Sequence, residues 1–226
     1  MPYNLYNVKI DSGDGCTKKI MTRETYHHGD LKNALIDAGI DILSKEGASG
    51  LSLRSVAKRA GVSHAAPYAH FSDKQALIAA ISTEGYRRVY EKIEEVVREY
   101  QHDPLRQLVE AGWAYLQFAL TDPDHFKITF SGVVEKEKDY PAFVEVSRKN
   151  FELVVKIVEA CQAVGALNPG PSNLVAVGVW SLVHGLASLL LEGQISHAVL
   201  ETWTVREMLV HSLNQITRVE TGLDLV

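Results

Sequence analysis

The chain has 226 residues, 46 % of them apolar, which is long enough to bury a core without a metal or disulfide staple and too apolar for a disordered chain. Its 23 Lys/Arg and 28 Asp/Glu give a formal charge of -5. Residues 1–80 hold 10 basic against 8 acidic side chains and residues 81–226 hold 13 against 20, so an acidic body confines any nucleic-acid contact to the front segment.

Residues 1–22 mix polar residues, glycines and isolated apolar ones, and read as a poorly ordered extension with no apolar signal region. Met21 is a second candidate start. Cys16, beside Lys18 and Lys19, is expected there as an exposed, inert thiol. Cys161 lies far downstream as a buried one, so the pair is no disulfide framework and suits a reducing, cytoplasmic compartment. From about Asp30 to Lys45, Leu31, Ala34, Leu35, Ala38, Ile42 and Leu43 form one apolar stripe at helical spacing, ended by Gly47 and Gly50. Ser52 caps a short helix over 53–60, with Leu53, Val56, Ala57 and Ala60 on one side and Arg54, Lys58 and Arg59 on the other. Gly61 stops it, Val62 fills the turn, and Ser63 is placed to cap a second short helix over 64–71. Ser72 and Gln75 have the spacing of a capping box for a long helix reaching Glu99.

The rest is helical by the same test: 105–120, a short segment after Pro123, 141–164, 172–191 and 202–219, with a charged loop at 135–139. Residues 174–191 carry no charged side chain and approach the length of a membrane span. Interrupted by Gly178, Ser181, His184, Gly185 and Ser188, they read instead as a helix buried on most sides, partly by a second subunit, with no membrane partner. The fold class is all-α: an extension (1–22), a front three-helix domain (23–72) and a larger helical domain (73–226).

Two short helices joined at Gly61 make a helix-turn-helix, whose second helix enters a major groove. His64, Ala65 and Ala66 then face base edges. Tyr68, His70 and Lys74 supply phosphate contacts, and Arg54 and Lys58 stand at the edge. The competing reading is a helical hairpin with Tyr68 and Phe71 both in its core. No HExxH, CxxC, nucleophile elbow or phosphate-cradling glycine loop appears. His184, His197 and His211 are separated by 13 and 14 residues with no cysteine at ligand spacing, so neither an enzyme nor a metal or cofactor site is expected.

The runs Tyr26-His27-His28-Gly29-Asp30-Leu31, Leu53-Arg54-Ser55-Val56-Ala57, Ala60-Gly61-Val62-Ser63-His64-Ala65-Ala66-Pro67-Tyr68 and His70-Phe71-Ser72-Asp73-Lys74 resemble the TetR/AcrR family of bacterial transcriptional regulators. Downstream, Trp180, His184 and Gly185, with residues 126–132 ahead of them, resemble the Trp/His/Gly signature of one C-terminal domain type in that family. The resemblance implies a homodimer held by its last two long helices, a palindromic double-stranded operator, and a small-molecule effector that relieves repression. It also implies that Ser52, Tyr68, His70 and Lys74 touch phosphates while His64, Ala65 and Ala66 lie at bases. Ala65, Ala66 and Pro67 make no bidentate base contact, so thymine methyl contacts, His64, Arg54 and Lys58 carry more of the readout.

Aromatic excess in the body suggests the effector pocket. Trp113, Tyr115, Phe118, Phe126, Thr129, Phe130, Phe151, Trp180 and His184 are its candidate lining. Tyr115, Thr129 and His184 are the polar contacts, and the absence of Lys or Arg among them suits a neutral, mainly apolar molecule. The rival readings are a core filled by these same side chains, which leaves a ligand-independent architectural DNA-binding dimer, and a small-molecule-binding helical protein or enzyme without a DNA role.

Overall fold

The structure, a computed structural model, describes residues 28–219. The chain divides into two compact units: residues 28–88 with 122–147, and residues 89–121 with 148–219. The elements are α1 (His28–Gly50), α2 (Leu53–Ala60), a 3-10 turn (Ala66–Ala69), α3 (Lys74–Glu99), α4 (Pro104–Thr121), α5 (Pro123–Phe130), a 3-10 turn (Glu137–Asp139), α6 (Pro141–Ala163), α7 (Ser172–Leu191), α8 (His197–Thr202) and α9 (Val205–Asn214). The only β pairing among the described residues is the isolated bridge Leu167–Thr217. Cys16 and Met21 lie outside the described residues.

In the first unit, Leu35, Ile36, Ala38 and Ile42 of α1 are buried with Leu53 and Val56 of α2, Phe71, and Leu77, Ile78 and Ile81 of α3. Val134 and Phe143 complete this core, so the segment following α4 belongs to the same unit as the helix-turn-helix. Gly47 breaks α1 with φ 68°, where the sequence places its end. Ser52 Oγ accepts the Ser55 N–H at 3.0 Å and Ser55 Oγ accepts the Ser52 N–H at 2.9 Å, a closed capping box. At the other end Gly61 takes φ 70°, and the Val62 N–H reaches back to Ala57 O at 3.0 Å.

Three sequence expectations are corrected. The helix anticipated over 64–71 is a pair of tight turns: Ala66, Tyr68 and His70 donate to carbonyls three residues back. Pro67 brings no N–H and disfavours α backbone in the residue before it, and Ser63 makes no side-chain cap. The long helix is capped by Asp73, whose Oδ1 accepts the Ala76 N–H at 2.8 Å, rather than by Ser72 with Gln75; Gln75 Oε1 accepts the Glu135 N–H instead. The final helix expected over 202–219 runs instead from Val205 to Asn214, and an unanticipated short α8 precedes it: α8 stops at Thr202, Trp203 is extended, and Thr204 with Glu207 forms the capping box that starts α9.

In the second unit, α4 buries Leu108, Leu116 and Ala119, α7 buries Ala176, Val179, Val183, Ala187 and Leu190, and α9 buries Leu209 and Leu213. These three helices pack against one another. Arg206 of α9 donates to both carboxylate oxygens of Glu110 at 2.5 and 3.2 Å and lies over the Trp113 ring, 5.4 Å from its centre. Burial pushes the Cys161 thiol up to about 12, and Sγ donates to Pro104 O at 3.1 Å, so this cysteine is inert.

Candidate nucleic-acid interface and effector site

The reading face begins with what is hidden. Leu53, Val56, Ala57, Pro67 and Phe71 point inward, which leaves Ser52, Arg54, Lys58, Ser63, His64, Ala65, Tyr68 and His70 exposed, with Ala66 and Lys74 half-buried. Tyr68 is 63 % exposed, against the reading that makes it a core aromatic alongside Phe71. All nine DNA-contact candidates therefore sit on the α2 surface, the turn after it, or the start of α3.

Charge pairing then sorts the cations. Arg59 is tied to Asp41 and, at 2.8 Å, to Glu46. Arg54 and Lys58 make no ion pair among the described residues. Two adjacent turns of one helix thus present uncompensated positive charge, a requirement for phosphate binding that a packed hairpin does not share.

The effector candidates divide between the units. Phe126, Thr129 and Phe130 lie in the first. Phe126 and Phe130 stack 4.9 Å apart, and Phe130 meets Tyr86 edge-on at 5.0 Å. Thr129 Oγ1 donates to His125 O at 2.8 Å and fills the space above Gly85, where a Cβ would collide with that hydroxyl oxygen. In this structure these three pack against neighbouring side chains. His125, which sequence reasoning passed over, is fully buried beside them. Its Nε2–H donates to Ile81 O at 2.8 Å and Nδ1 faces Asp122 Oδ2 at 3.4 Å.

Trp113, Tyr115, Phe118, Phe151, Trp180 and His184 lie in the second unit. A cavity of about 40 Å³ opens there among Ile93, Leu108, Tyr115, Val154, Ile157 and Trp180. Of the candidates only Tyr115 and Trp180 line it; Trp113, Phe118 and Phe151 do not. His184 Nδ1 lies 2.8 Å from Tyr115 Oη, and Trp180 Nε1–H donates to the same oxygen at 3.4 Å. Burial holds the imidazole of His184 below its ordinary value, which favours its neutral form.

Residues 35–81 match the profile described as bacterial regulatory proteins, tetR family, and residues 108–213 match that of the tetracyclin repressor-like C-terminal domain. The chain belongs to the TetR family. Similar solved structures include a protein of unknown function from Rhodococcus sp. RHA1, 30 % identical, TM-score 0.69, covering 85 % of this chain and 96 % of that one. A tetR-family regulatory protein from Rhodococcus RHA1 (17 % identical, TM-score 0.67, 82 % and 96 % covered) shares the fold. So does the TetR-family transcriptional regulator PfmR from Thermus thermophilus (16 %, TM-score 0.64, 80 % and 97 %). Comparison with curated proteins gives no match. This TetR-family chain is thus an all-helical DNA-binding transcriptional regulator, of a family whose members are not enzymes.

Proposed function

We propose that this regulator is a cytoplasmic repressor that binds a palindromic operator as a homodimer and releases it on binding a small, mainly apolar effector. The observation that carries the DNA reading is the exposed row of Arg54, Lys58, His64, Tyr68 and His70 over a buried apolar floor. His64, Ala65 and Ala66 read bases, while Ser52, Tyr68, His70 and Lys74 hold phosphates. The dimer reading rests on α7. Behind its buried stripe it exposes Leu174, Val177 and Leu189, and a Cβ at Gly178 or Gly185 would meet only open space. α7 is long and apolar enough to cross a membrane, yet it packs on α4 and α9, and a second copy of α7 and α9 supplies the remaining cover.

Footprinting on genomic fragments tests the operator: two protected half-sites about one helical turn, roughly 34–36 Å, or somewhat more apart are expected. Replacing Lys74 with Ala should weaken all sequences alike and flatten the salt slope by about one unit. Absence of a symmetric protected site refutes the reading. The small size of the cavity favours a second reading, a ligand-independent DNA-binding dimer, because ligand pockets usually span about 300–1,000 Å³. A thermal-shift screen of small apolar compounds followed by operator binding with each hit separates the two readings. Hits that stabilise the protein and release DNA support the switch, and hits that leave operator affinity unchanged oppose it.

A further inference from the structure

The cavity beside Tyr115 is too small for an effector, yet one of its walls is built to move. Ile93, Leu108, Ile157 and Val183 are buried on all sides, whereas Trp180 lines the cavity and is 38 % exposed. A tryptophan there occupies as much room as a small aromatic ligand. Its tether is weak: the Nε1–H to Tyr115 Oη bond, at 3.4 Å, lies beyond the usual 2.7–3.2 Å range. By helical geometry Trp180 points away from the Gly178–Gly185 line.

The polar atoms around it define what replaces the indole. An indole N–H only donates, so Tyr115 Oη accepts from Trp180; His184 Nδ1 lies 2.8 Å from the same oxygen, and in the tautomer protonated at Nε2 it takes the tyrosine's own hydrogen. If Trp180 swings away, the buried Tyr115 oxygen loses a donor while its own hydrogen stays engaged. A ketone, ether or carboxylate offers nothing to that oxygen, whereas a hydroxyl does. No Lys, Arg, Asp or Glu lines the cavity, and the neutral imidazole of His184 adds no charge.

We propose that Trp180 is the door of the effector site, and that the site takes a small, uncharged, mainly apolar molecule whose hydroxyl replaces the indole N–H on Tyr115 Oη. This rests on the ligand-switch reading above and adds to it an entrance and a ligand chemistry.

The test uses three probes of one shape: 4-fluorophenol, 4-fluoroanisole and 4-fluorobenzoate, followed by fluorine NMR with the full-length protein. The phenol should bind roughly five- to tenfold more tightly than the anisole, the worth of one hydrogen bond, and the benzoate should bind least. Tyr115→Phe should erase the phenol's advantage over the anisole. Trp180→Ala should still bind the phenol and exchange it at least about tenfold faster, because the door is gone. Trp180→Phe keeps the bulk and should exchange more slowly than Trp180→Ala, and thermal melts confirm that each variant is folded. Equal exchange in wild type and Trp180→Ala overturns the door, and an anisole bound as tightly as the phenol overturns the hydroxyl. Either result leaves the ligand switch standing if the phenol still releases operator. If no probe binds wild type or Trp180→Ala, the door and the pocket fall together.

Discussion

Phe126 with Phe130 and Trp180 with His184 are two aromatic pairs at the same four-residue spacing, and they end in opposite roles. Around the first pair the neighbours close in: Tyr86 and Phe143 meet edge-on at 5.7 Å, Thr129 occupies the space over Gly85, and His125 is fully buried with its Nε2–H on a main-chain carbonyl. Around the second pair a void remains, one ring is partly exposed to solvent, and Trp180, Tyr115 and His184 meet side chain to side chain. Helical spacing reports that two side chains share a face. Whether that face is filled, and whether its polar atoms are committed to the backbone, separates a core from a site.

The sharpest way to break this contrast is His125→Ala. It removes the side-chain donor from the buried Ile81 carbonyl and opens a cavity, and should cost about 3 kcal/mol in denaturant unfolding. A cost below about 1 kcal/mol would mean that the first cluster is as loosely made as the second. Gly85→Ala comes next. Its new methyl collides with Thr129, so a loss of about 2 kcal/mol is expected, and Thr129→Ala in the same chain should recover a good part of it. Simple additivity of the two changes would show that the packing at this point is slack.

What was legible beforehand follows the same division between local and distant causes. Ser52, Gly61 and Gly165 announce their helix ends through chemistry within a few residues, and the structure puts helix boundaries there. The Thr204-x-x-Glu207 box is equally local and starts α9 within a few residues of the expected Thr202, whereas the six-residue α8 ahead of it buries no residue and so carries no apolar stripe to announce it. Pro67 lies inside the segment expected as a helix over 64–71, and in so short a segment it goes with 3-10 geometry instead. His125 carries a local signal in its spacing from Asp122, but its decisive partner, the Ile81 carbonyl, is 44 residues away. The division of the nine effector candidates between two units has the same origin: spacing identified each face, and only the tertiary fold identified its neighbour.

The reading surface offers a third contrast of committed and uncommitted groups. Arg59 is spent on Asp41 and Glu46, whereas Arg54 and Lys58 are not paired. Replacing Arg54 or Lys58 with Ala should lower operator affinity by about 1 kcal/mol and flatten the salt dependence by up to about one unit each, with little change in melting temperature. Replacing Arg59 should do the reverse. Identical salt slopes for all three variants would mean that ion pairing does not decide which cations reach the DNA.

The smallest effect expected is in pH dependence, and it separates the two histidine regions by where it falls. Burial depresses the imidazole of His184, so the unfolded chain takes up this proton at about pH 6.5 while the folded protein resists it. Stability from a neutral His184 is therefore complete above about pH 7 and is lost as the pH falls through the depressed folded value. Asp122 behaves as a lowered carboxyl. Its hydrogen-bonding contact with His125 holds it below the usual range against partial burial, and the guanidinium of Arg88 assists. Its contribution is present above the unfolded value near 4 and disappears only in stronger acid. Asp37, raised by burial, works in the opposite direction and softens that acid loss. Melting temperature measured from about pH 8 to 3 should thus decline in two windows. His184→Gln should remove part of the decline between about pH 7 and 5, Asp122→Asn part of that below about pH 4, and Asp37→Asn should steepen the acid limb. Because both His184 and Asp122 retain contact with solvent, each window should be shallow. A His184→Gln profile superimposable on the wild type between pH 7 and 5 would show that the imidazole is already free to charge. Tyr115 would then donate its hydrogen elsewhere, and the hydroxyl preference proposed for the effector would lose its foundation.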